Sequence, residues 1–576
     1  MALIYFLERT IPFDGAFYSF KILNYGTFNV ENERWGACYN QVLPIIGIKL
    51  GFSLPTILKL YSVSFVLCNY VFFLIIYYRF KQVCTAIAFT IVQVVAFRYN
   101  FFYQVSEIHS IIGPIFLFMA TLLSVKYTIE KKWIGALLVV VLLYWLLNIH
   151  LLSIVIVAFC LAYGVLHNHK LLKNIPMLIS LIVGIVYFIL KLKAVPADSY
   201  QSQKLVSFEN ISYVFTNLND ILGYKYFLKA VGNNYVLPVS LLIFMALFYI
   251  YKKMVLKILL LVLSVFGFWV LIMAGEIREE APIVCENYYA LFGYFIAIPF
   301  SIDFLQSIKF KLAFPTLLWV LFFSLSKIVM CGTLIHDQID FFKRTTDNLR
   351  TFNEKKFVMS YKNVDWDGLW VAWDFPFQSL IVSSLADPDS AITFYATDDS
   401  SKYTPQIYTD STTLVGVPWS PFWFASTTLP TKYFKLKNTL YRNMNTLQDS
   451  SFYAEKFTNQ NMELHVFDKQ YCFWHDQNAK ISVSISNKST NVFYSRLAMK
   501  QQSYLGYRVY NMSDYSLVKE GRTLLDLDIY PNHTLVTSLI MPKRFLKKGC
   551  YTIEVDLVDE YKRWYGMIKK FNLVML

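Results

Sequence analysis

The chain has 576 residues, of which 56% are hydrophobic and only 16% charged, with 50 phenylalanines and 41 tyrosines. Soluble domains carry about 25% charged residues, so the composition does not fit an ordinary cytosolic enzyme. The formal charge of +14 does not signal a nucleic-acid partner either, because the lysines and arginines fall in short groups between apolar runs and not on one polar face or tail.

Residues 1–56 precede the first long apolar run and are expected as an outer loop with one amphipathic segment, Ala16 to Leu23. Pro12 and Gly15 bracket Asp14 and place it on a turn just before that segment. The stretch Asn29-Val30-Glu31-Asn32-Glu33-Arg34-Trp35 follows.

Residues 57–331 are expected to form a transmembrane helical domain. At about 20 residues per span, candidates fall at 57–78, 83–97, 108–125, 133–147, 149–166, 175–192, 236–251, 255–274, 288–305 and 311–331, about ten in all. The run from Trp133 to Leu166 is too long for one span. Asn148-Ile149-His150 interrupts it and predicts two helices joined by a tight outer turn, with one long tilted helix as the alternative. Basic connections at Arg79 and Lys81, Lys126 to Lys132, Lys170 and Lys173, Lys252 and Lys253, and Lys309 and Lys311 mark the cytoplasmic side. Arg98 to Glu107, the Asn148 turn, Lys193 to Tyr235 and Glu276-Ile277-Arg278-Glu279-Glu280 then face outward, as do both termini. An outer N-terminus with neither a signal peptide nor a preceding span predicts a first span upstream of Met1. Ionisable groups within the runs are few, Lys59 and Lys191 standing near span ends.

From about residue 335 the composition turns polar. Residues 335–470 are expected to form an outer mixed α/β domain, with strands such as Ala391 to Tyr395. Trp366, Trp370, Trp373, Trp419 and Trp423 lie here, and their rings suit core packing, interface anchoring or stacking on sugar. From Ala479 the pattern alternates strictly, with Ile481, Val483 and Ile485 on one face. Similar runs at Tyr504–Tyr510, Leu524–Ile529, Thr534–Met541 and Tyr551–Leu557, separated by turn residues, predict a β-sandwich over 478–576. The eight cysteines include no CxxC pair, which removes zinc ribbons and thioredoxin-like chemistry. Cys472 and Cys550 suit a disulfide or a pair of buried free thiols equally.

Candidate chemistry collects on the outer side. Asp14, Glu33 and Glu107 supply carboxylates able to take a proton from an attacking hydroxyl. Arg34, His109, His150, Arg278 and Glu279 are candidates for substrate binding, arginine being suited to grip phosphate through paired hydrogen bonds. Structural alternatives stand beside these roles: Asp14 as a helix cap, Glu107 and His109 paired with each other or with Arg98, the acidic loop as a solvated turn. A divalent cation is compatible with the carboxylates, and no HExxH or His-rich spacing supports one. There is no Walker loop and no GxGxxG after a strand, so a cytoplasmic sugar nucleotide is not the expected donor.

Two resemblances rest on these residues. Gly506-Tyr507-Arg508-Val509-Tyr510, Glu520-Gly521-Arg522-Thr523, Leu525 to Pro531, and Gly549 through Glu560 to Trp564-Tyr565 resemble the Ig-like module appended to bacterial surface-polysaccharide glycosyltransferases and to the carbohydrate-binding ends of polysaccharide exporters. That resemblance implies a glycan context. The multi-span part, with its acidic residue in the first outer loop and its outer soluble end, resembles the GT-C superfamily of polytopic membrane glycosyltransferases. It implies a multi-pass protein of the bacterial inner membrane, with its C-terminal domains on the periplasmic side, that moves a sugar from a polyprenyl-phosphate-linked donor to a glycan or protein acceptor. Membrane lipid, donor and acceptor are the partners so implied, and no oligomeric state follows.

By position, the same resemblance makes Asp14 the base or metal-contacting carboxylate and Arg278 the contact to the donor phosphate. The chain departs from the superfamily in lacking the first span, and in having a single Asp flanked by Glu8, Glu31 and Glu33 in place of an acidic pair. The competing classes are a transporter or flippase of lipid-linked glycans, against which the shortage of ionisable groups weighs, and a membrane-anchored glycan-binding assembly protein, which would need only one anchor.

Overall fold

The computed structural model describes residues 1–31, 34–103, 107–195, 210–275, 282–350, 352–359, 373–396, 411–414, 424–443, 462–474, 479–489, 493, 496–497, 501–525, 529, 532–542, 545–559 and 563–576. These fall into two compact units. The first comprises Met1–Asp340, Pro376–Ala391 and Ala425–Leu436; the second comprises Phe341–Phe375, Ile392–Phe424 and Lys437–Leu576.

The first unit is helical. Its N-terminal segment folds into α1 (Phe6–Thr10), α2 (Asp14–Tyr25), a 3-10 turn (Trp35–Gln41) and α3 (Val42–Lys49). α2 buries Gly15 to Phe20, Ile22 and Leu23, so it is enclosed nearly all round and has only a narrow polar edge. Next come α4 (Leu54–Leu74), which continues through a π turn to Arg79, α5 (Val83–Val95), α6 (Glu107–Ser110) and α7 (Ile112–Leu123). α8 (Lys132–Leu147), α9 (Ser153–His167) and α10 (Ile175–Lys193) follow. Further along lie α11 (Ile211–Thr216), α12 (Leu222–Asn233), α13 (Val236–Tyr251), α14 (Val255–Gly275), α15 (Pro282–Tyr289), α16 (Phe292–Pro299) and the 40-residue α17 (Phe310–Leu349), whose last residues belong to the second unit.

Each expected span coincides with a helix, but fewer reach membrane-crossing length. Among the described residues five do: Leu54–Arg79, Ile175–Lys193, Val255–Gly275, Glu286–Ser307 and Lys311–Leu349. α12 and α13, bent by 84° at their junction, make a sixth if counted as one. α5, α6 with α7, α8 and α9 are shorter apolar helices. In Glu286–Ser307, 78% of the most apolar window is buried, against 22–33% in the other four, so this segment lies at the heart of the unit while the others turn apolar surface outward. The run Trp133 to Leu166 is two helices, as its polar interruption predicts. Asn148 ends α8 by donating from Nδ2 to the Tyr144 carbonyl at 2.7 Å, and the Lys191 ammonium donates to the Leu147 carbonyl (3.0 Å) and to Asn148 Oδ1 (2.7 Å). A cation at a helix C-terminus suits the negative end of the helix dipole.

In the second unit, Lys356–Met359 is the central strand of a three-stranded parallel sheet, flanked by Thr393–Ala396 and Arg442–Asn443. Phe342 and Phe375 pack their rings against Phe394 of that sheet. Farther along, a seven-stranded sheet centred on Gln501–Asn511 and Gly549–Asp559 and a three-stranded sheet of Thr534–Met541, Ala479–Asn487 and Met462–Val466 close over one apolar core. The period-two alternation is realised there: Ile481, Val483 and Ile485 meet Leu505, Tyr507, Val509, Ile553 and Val555 in that core. Gly506 is required by contact, since a Cβ would lie 2.3 Å from Val558 Cγ2 and 2.9 Å from the Trp564 indole. Cys472 and Cys550 are both paired with Val574, one on each side of its strand, and both are exposed and free. Two strand spacings, about 9–10 Å, exceed the roughly 7 Å Cα limit for a disulfide, so the thiols are free, and both are exposed where the free-thiol alternative had them buried.

Candidate functional site

The corner between α1 and α2 sets the site. Phe13 sits at φ 55°, ψ −134°, a conformation that a bulky residue rarely adopts. Gly15 allows the chain to close, because a Cβ there would meet the Thr10 carbonyl carbon and oxygen at 3.1 Å. That carbonyl accepts instead from Ser19 Oγ at 2.8 Å. Asp14 is thereby the first residue of α2, and it does not cap the helix: the capping position is Phe13, and Asp14 Oδ2 accepts from the Tyr103 hydroxyl.

Glu107 comes to the same place from the start of α6. Its Oε1 accepts from Tyr18 Oη at 2.7 Å, and its Oε2 pairs with Arg34 Nη1 at 3.1 Å. Glu107 is 7% exposed, and its bonds to Tyr18 and Arg34 stand in place of the alternative pairing with His109 or Arg98. The Glu31 backbone N–H donates to Tyr18 Oη at 3.4 Å, and Glu31 itself is paired with Lys21. Arg34 is held by the 3-10 turn behind it: the Gly36 N–H donates to the Asn148 carbonyl at 3.1 Å, and Trp145 Nε1 donates to the Gly36 carbonyl at 2.8 Å.

Asp14 is surrounded by protein yet keeps part of its surface accessible. Burial pushes its carboxyl up to about 6; Glu107 and Glu31 add to the rise, while the Tyr103 hydrogen bond and the Arg34 charge oppose it. His150 lies within the field of Arg34 across the docked turn, and its Nδ1 accepts from the Leu152 N–H at 3.1 Å. His109, on the same short helix as Glu107, is buried with its ring 4.8 Å from that of Phe97, and the charge that acts on it is Arg9. Glu33, Arg278 and Glu279 lie outside the described residues, as do Trp366, Trp370, Trp419 and Trp423. Among the described residues no three His, Cys, Asp or Glu side chains converge as a metal-ligand set.

The unit also holds two further polar groups and a cavity. Glu286 accepts from the Tyr99 N–H (3.2 Å) and the Tyr226 hydroxyl (3.0 Å), beside the fully buried Arg98, whose Nε donates to the Asn234 carbonyl at 2.9 Å. Lys257 Nζ and Asp303 Oδ1 form an ion pair at 2.7 Å. This corrects the expectation that Lys59 and Lys191 are the notable ionisable groups within the apolar runs. The cavity, about 580 Å³, is lined by apolar and aromatic side chains of α12, α13, α14 and α16, with Tyr235 and Tyr289 at the Glu286 side.

Neither the known protein-family models nor the curated proteins give this chain a match. The chemistry of the site is what speaks for it. A partly accessible carboxylate poised near neutrality suits proton abstraction, and perturbed groups of this kind concentrate at functional sites. Tyr18 and Tyr103, which bond the two carboxylates, escaped sequence reasoning because nothing local separates them from the other tyrosines among 41. Lys257 and Asp303 were accessible to it as charges inside apolar runs.

Proposed function

We propose that this protein is a membrane-embedded glycosyltransferase that moves a sugar from a polyprenyl-phosphate-linked donor to an outer-facing acceptor, a surface glycan, lipid-linked glycan or protein. The observation that carries this reading is the convergence of Asp14, Glu107 and Arg34 from three segments of the chain: Asp14 bonds Tyr103, Glu107 bonds Tyr18 and Arg34, and the charges of Glu107 and Arg34 act on the Asp14 carboxyl. In the proposed reaction the acceptor oxygen attacks the anomeric carbon and the bond from that carbon to the donor phosphate breaks. The acceptor proton passes to Asp14, and the electron pair leaves with the lipid phosphate. Glu107 fixes Arg34, which with Arg278 supplies positive charge on the phosphate side. The apolar cavity suits the hydrocarbon chain of such a donor. About ten spans, the GT-C resemblance, a bacterial inner-membrane location and a periplasmic Ig-like β-sandwich belong to the same proposal.

The test is transfer of a labelled sugar from a polyprenyl-phosphate donor in proteoliposomes. Asp14→Asn should lower the rate by at least about 100-fold, the scale of general-base catalysis, with folding intact. Near-wild-type transfer by that variant would refute the assignment of Asp14. A second reading, transport of lipid-linked glycans, draws support from the Lys257–Asp303 pair, since buried charges in apolar helices often line transport paths. The same assay separates the two, because a transporter leaves the donor unconsumed.

A further inference from the structure

The helices that wall the apolar cavity meet again at one end in a charged knot. Ala246 of α13, Leu261 of α14 and Ile296 of α16 line the cavity. About one turn beyond Ala246 stands Tyr249, one turn before Leu261 stands Lys257, and two turns beyond Ile296 stands Asp303. Asp303 Oδ1 takes the Lys257 ammonium at 2.7 Å, and Oδ2 accepts from Tyr249 Oη at 2.5 Å and Tyr163 Oη at 2.8 Å. The Lys257 ammonium also lies 5.0 Å from the centre of the Tyr163 ring. The two charged side chains are only 7% and 9% exposed. Asp303 occupies a π turn, Phe300–Phe304, that directly continues α16, and such turns recur at functional positions.

Apolar residues would hold these helices together at least as well as a buried ion pair, which must overcome the loss of hydration of both charges. What the knot adds is direction: the two Asp303 oxygens, on the π turn that continues α16, accept from Lys257 on α14, Tyr249 on α13 and Tyr163 on α9. We propose that the Lys257–Asp303 knot, with Tyr163 and Tyr249, is the positioning element of a hydrocarbon-chain site in the cavity, setting the spacing of α13, α14 and α16 so that one chain of a lipid-linked substrate is admitted. This rests on the reading that the substrate is lipid-linked.

Trp269 lines the cavity and reports on it. In nanodiscs containing phospholipid with brominated acyl chains, the quenching lost on Trp269→Phe measures chain entry. The double variant Lys257→Met, Asp303→Leu should fold with unchanged helical content and lose at least about five-fold of that quenching. In the transfer assay it should raise KM for a long-chain donor with kcat unchanged, and leave a short-chain donor unaffected. Lys257→Arg should retain quenching. Wild-type quenching in the double variant would show the knot to be merely structural and overturn the proposal, as would absence of Trp269 quenching in the wild type. Should the double variant fail to fold, Tyr249→Phe removes one bond without stranding a charge, and a fall of about two-fold in quenching is then expected; no fall would overturn the proposal. Wild-type protein that shows Trp269 quenching but no sugar transfer would sink the glycosyltransferase reading alone.

Discussion

Asp14 sits where a helix-capping aspartate would sit but spends its side chain on Tyr103. Its carboxyl titrates near 6 and not near 3.8 because burial disfavours the charged form more than Tyr103 and Arg34 favour it. A folded-state value above the unfolded one means that Asp14's contribution to stability is full below its ordinary value and is lost as pH rises through about 6. Asp14→Asn removes that penalty. The variant should therefore be more stable than wild type at pH 8, on the order of 3 kcal/mol, and equal to it at about pH 3, below both values, with thermal melting at the two pH values as the check. Lower stability at pH 8 would mean that the carboxylate serves structure. Tyr103→Phe tests the same residue from the other side. Losing the bond that stabilises the carboxylate should raise Asp14 further, so the acid limb of the pH–rate profile should move to higher pH. An unmoved limb would disconnect Tyr103 from the chemistry.

At the scale of elements, the 3-10 turn Trp35–Gln41 is the part on which Arg34 depends. A Cβ on Gly36 would lie 2.8 Å from Ile149 Cγ1 and 2.9 Å from the Trp145 carbonyl oxygen, so Gly36→Ala must lift the turn off the α8–α9 junction. The expected result is a loss of about 1–3 kcal/mol of stability together with reduced transfer, as Arg34 parts from Glu107. Gly267→Ala within α14 meets nothing within 4 Å and serves as the control, neutral or slightly stabilising on thermal melting. Features of this kind divide what the sequence could disclose from what it could not. The break at Asn148 and the alternation of Ile481, Val483 and Ile485 were legible because one is a polar interruption of an over-long apolar run and the other a period-two pattern, each within one segment. The bonds of Tyr18 to Glu107 and Tyr103 to Asp14 join residues 89 positions apart in both cases. Packing alone selects them. Asp14 and Arg34 stood out as charges near an apolar boundary, whereas the partners that tune them are tyrosines with no local mark.

For the whole molecule, chain order and compactness disagree in the middle and agree at the end. Pro376–Ala391 and Ala425–Leu436 belong to the first unit, although the strands on either side of them, Lys356–Met359, Thr393–Ala396 and Arg442–Asn443, belong to the second. A contiguous piece covering 341–461 therefore leaves its parallel strands joined by segments whose packing partners are missing. Residues 462–576 are different: the two sheets that enclose the last core draw all their strands from this stretch, and so does the core itself. A domain with its own core and few dependencies can fold alone. Expressed by itself, 462–576 should give dispersed amide resonances, a β-type circular dichroism spectrum and one cooperative urea transition. The piece 341–461 should show none of these. Because Cys472 and Cys550 flank Val574 on separate strands, both should react with a thiol reagent in the folded fragment, and a reductant should leave the urea midpoint where it was. A midpoint that falls on reduction would require a disulfide that this strand order does not permit, and would overturn the register assigned to Lys569–Met575.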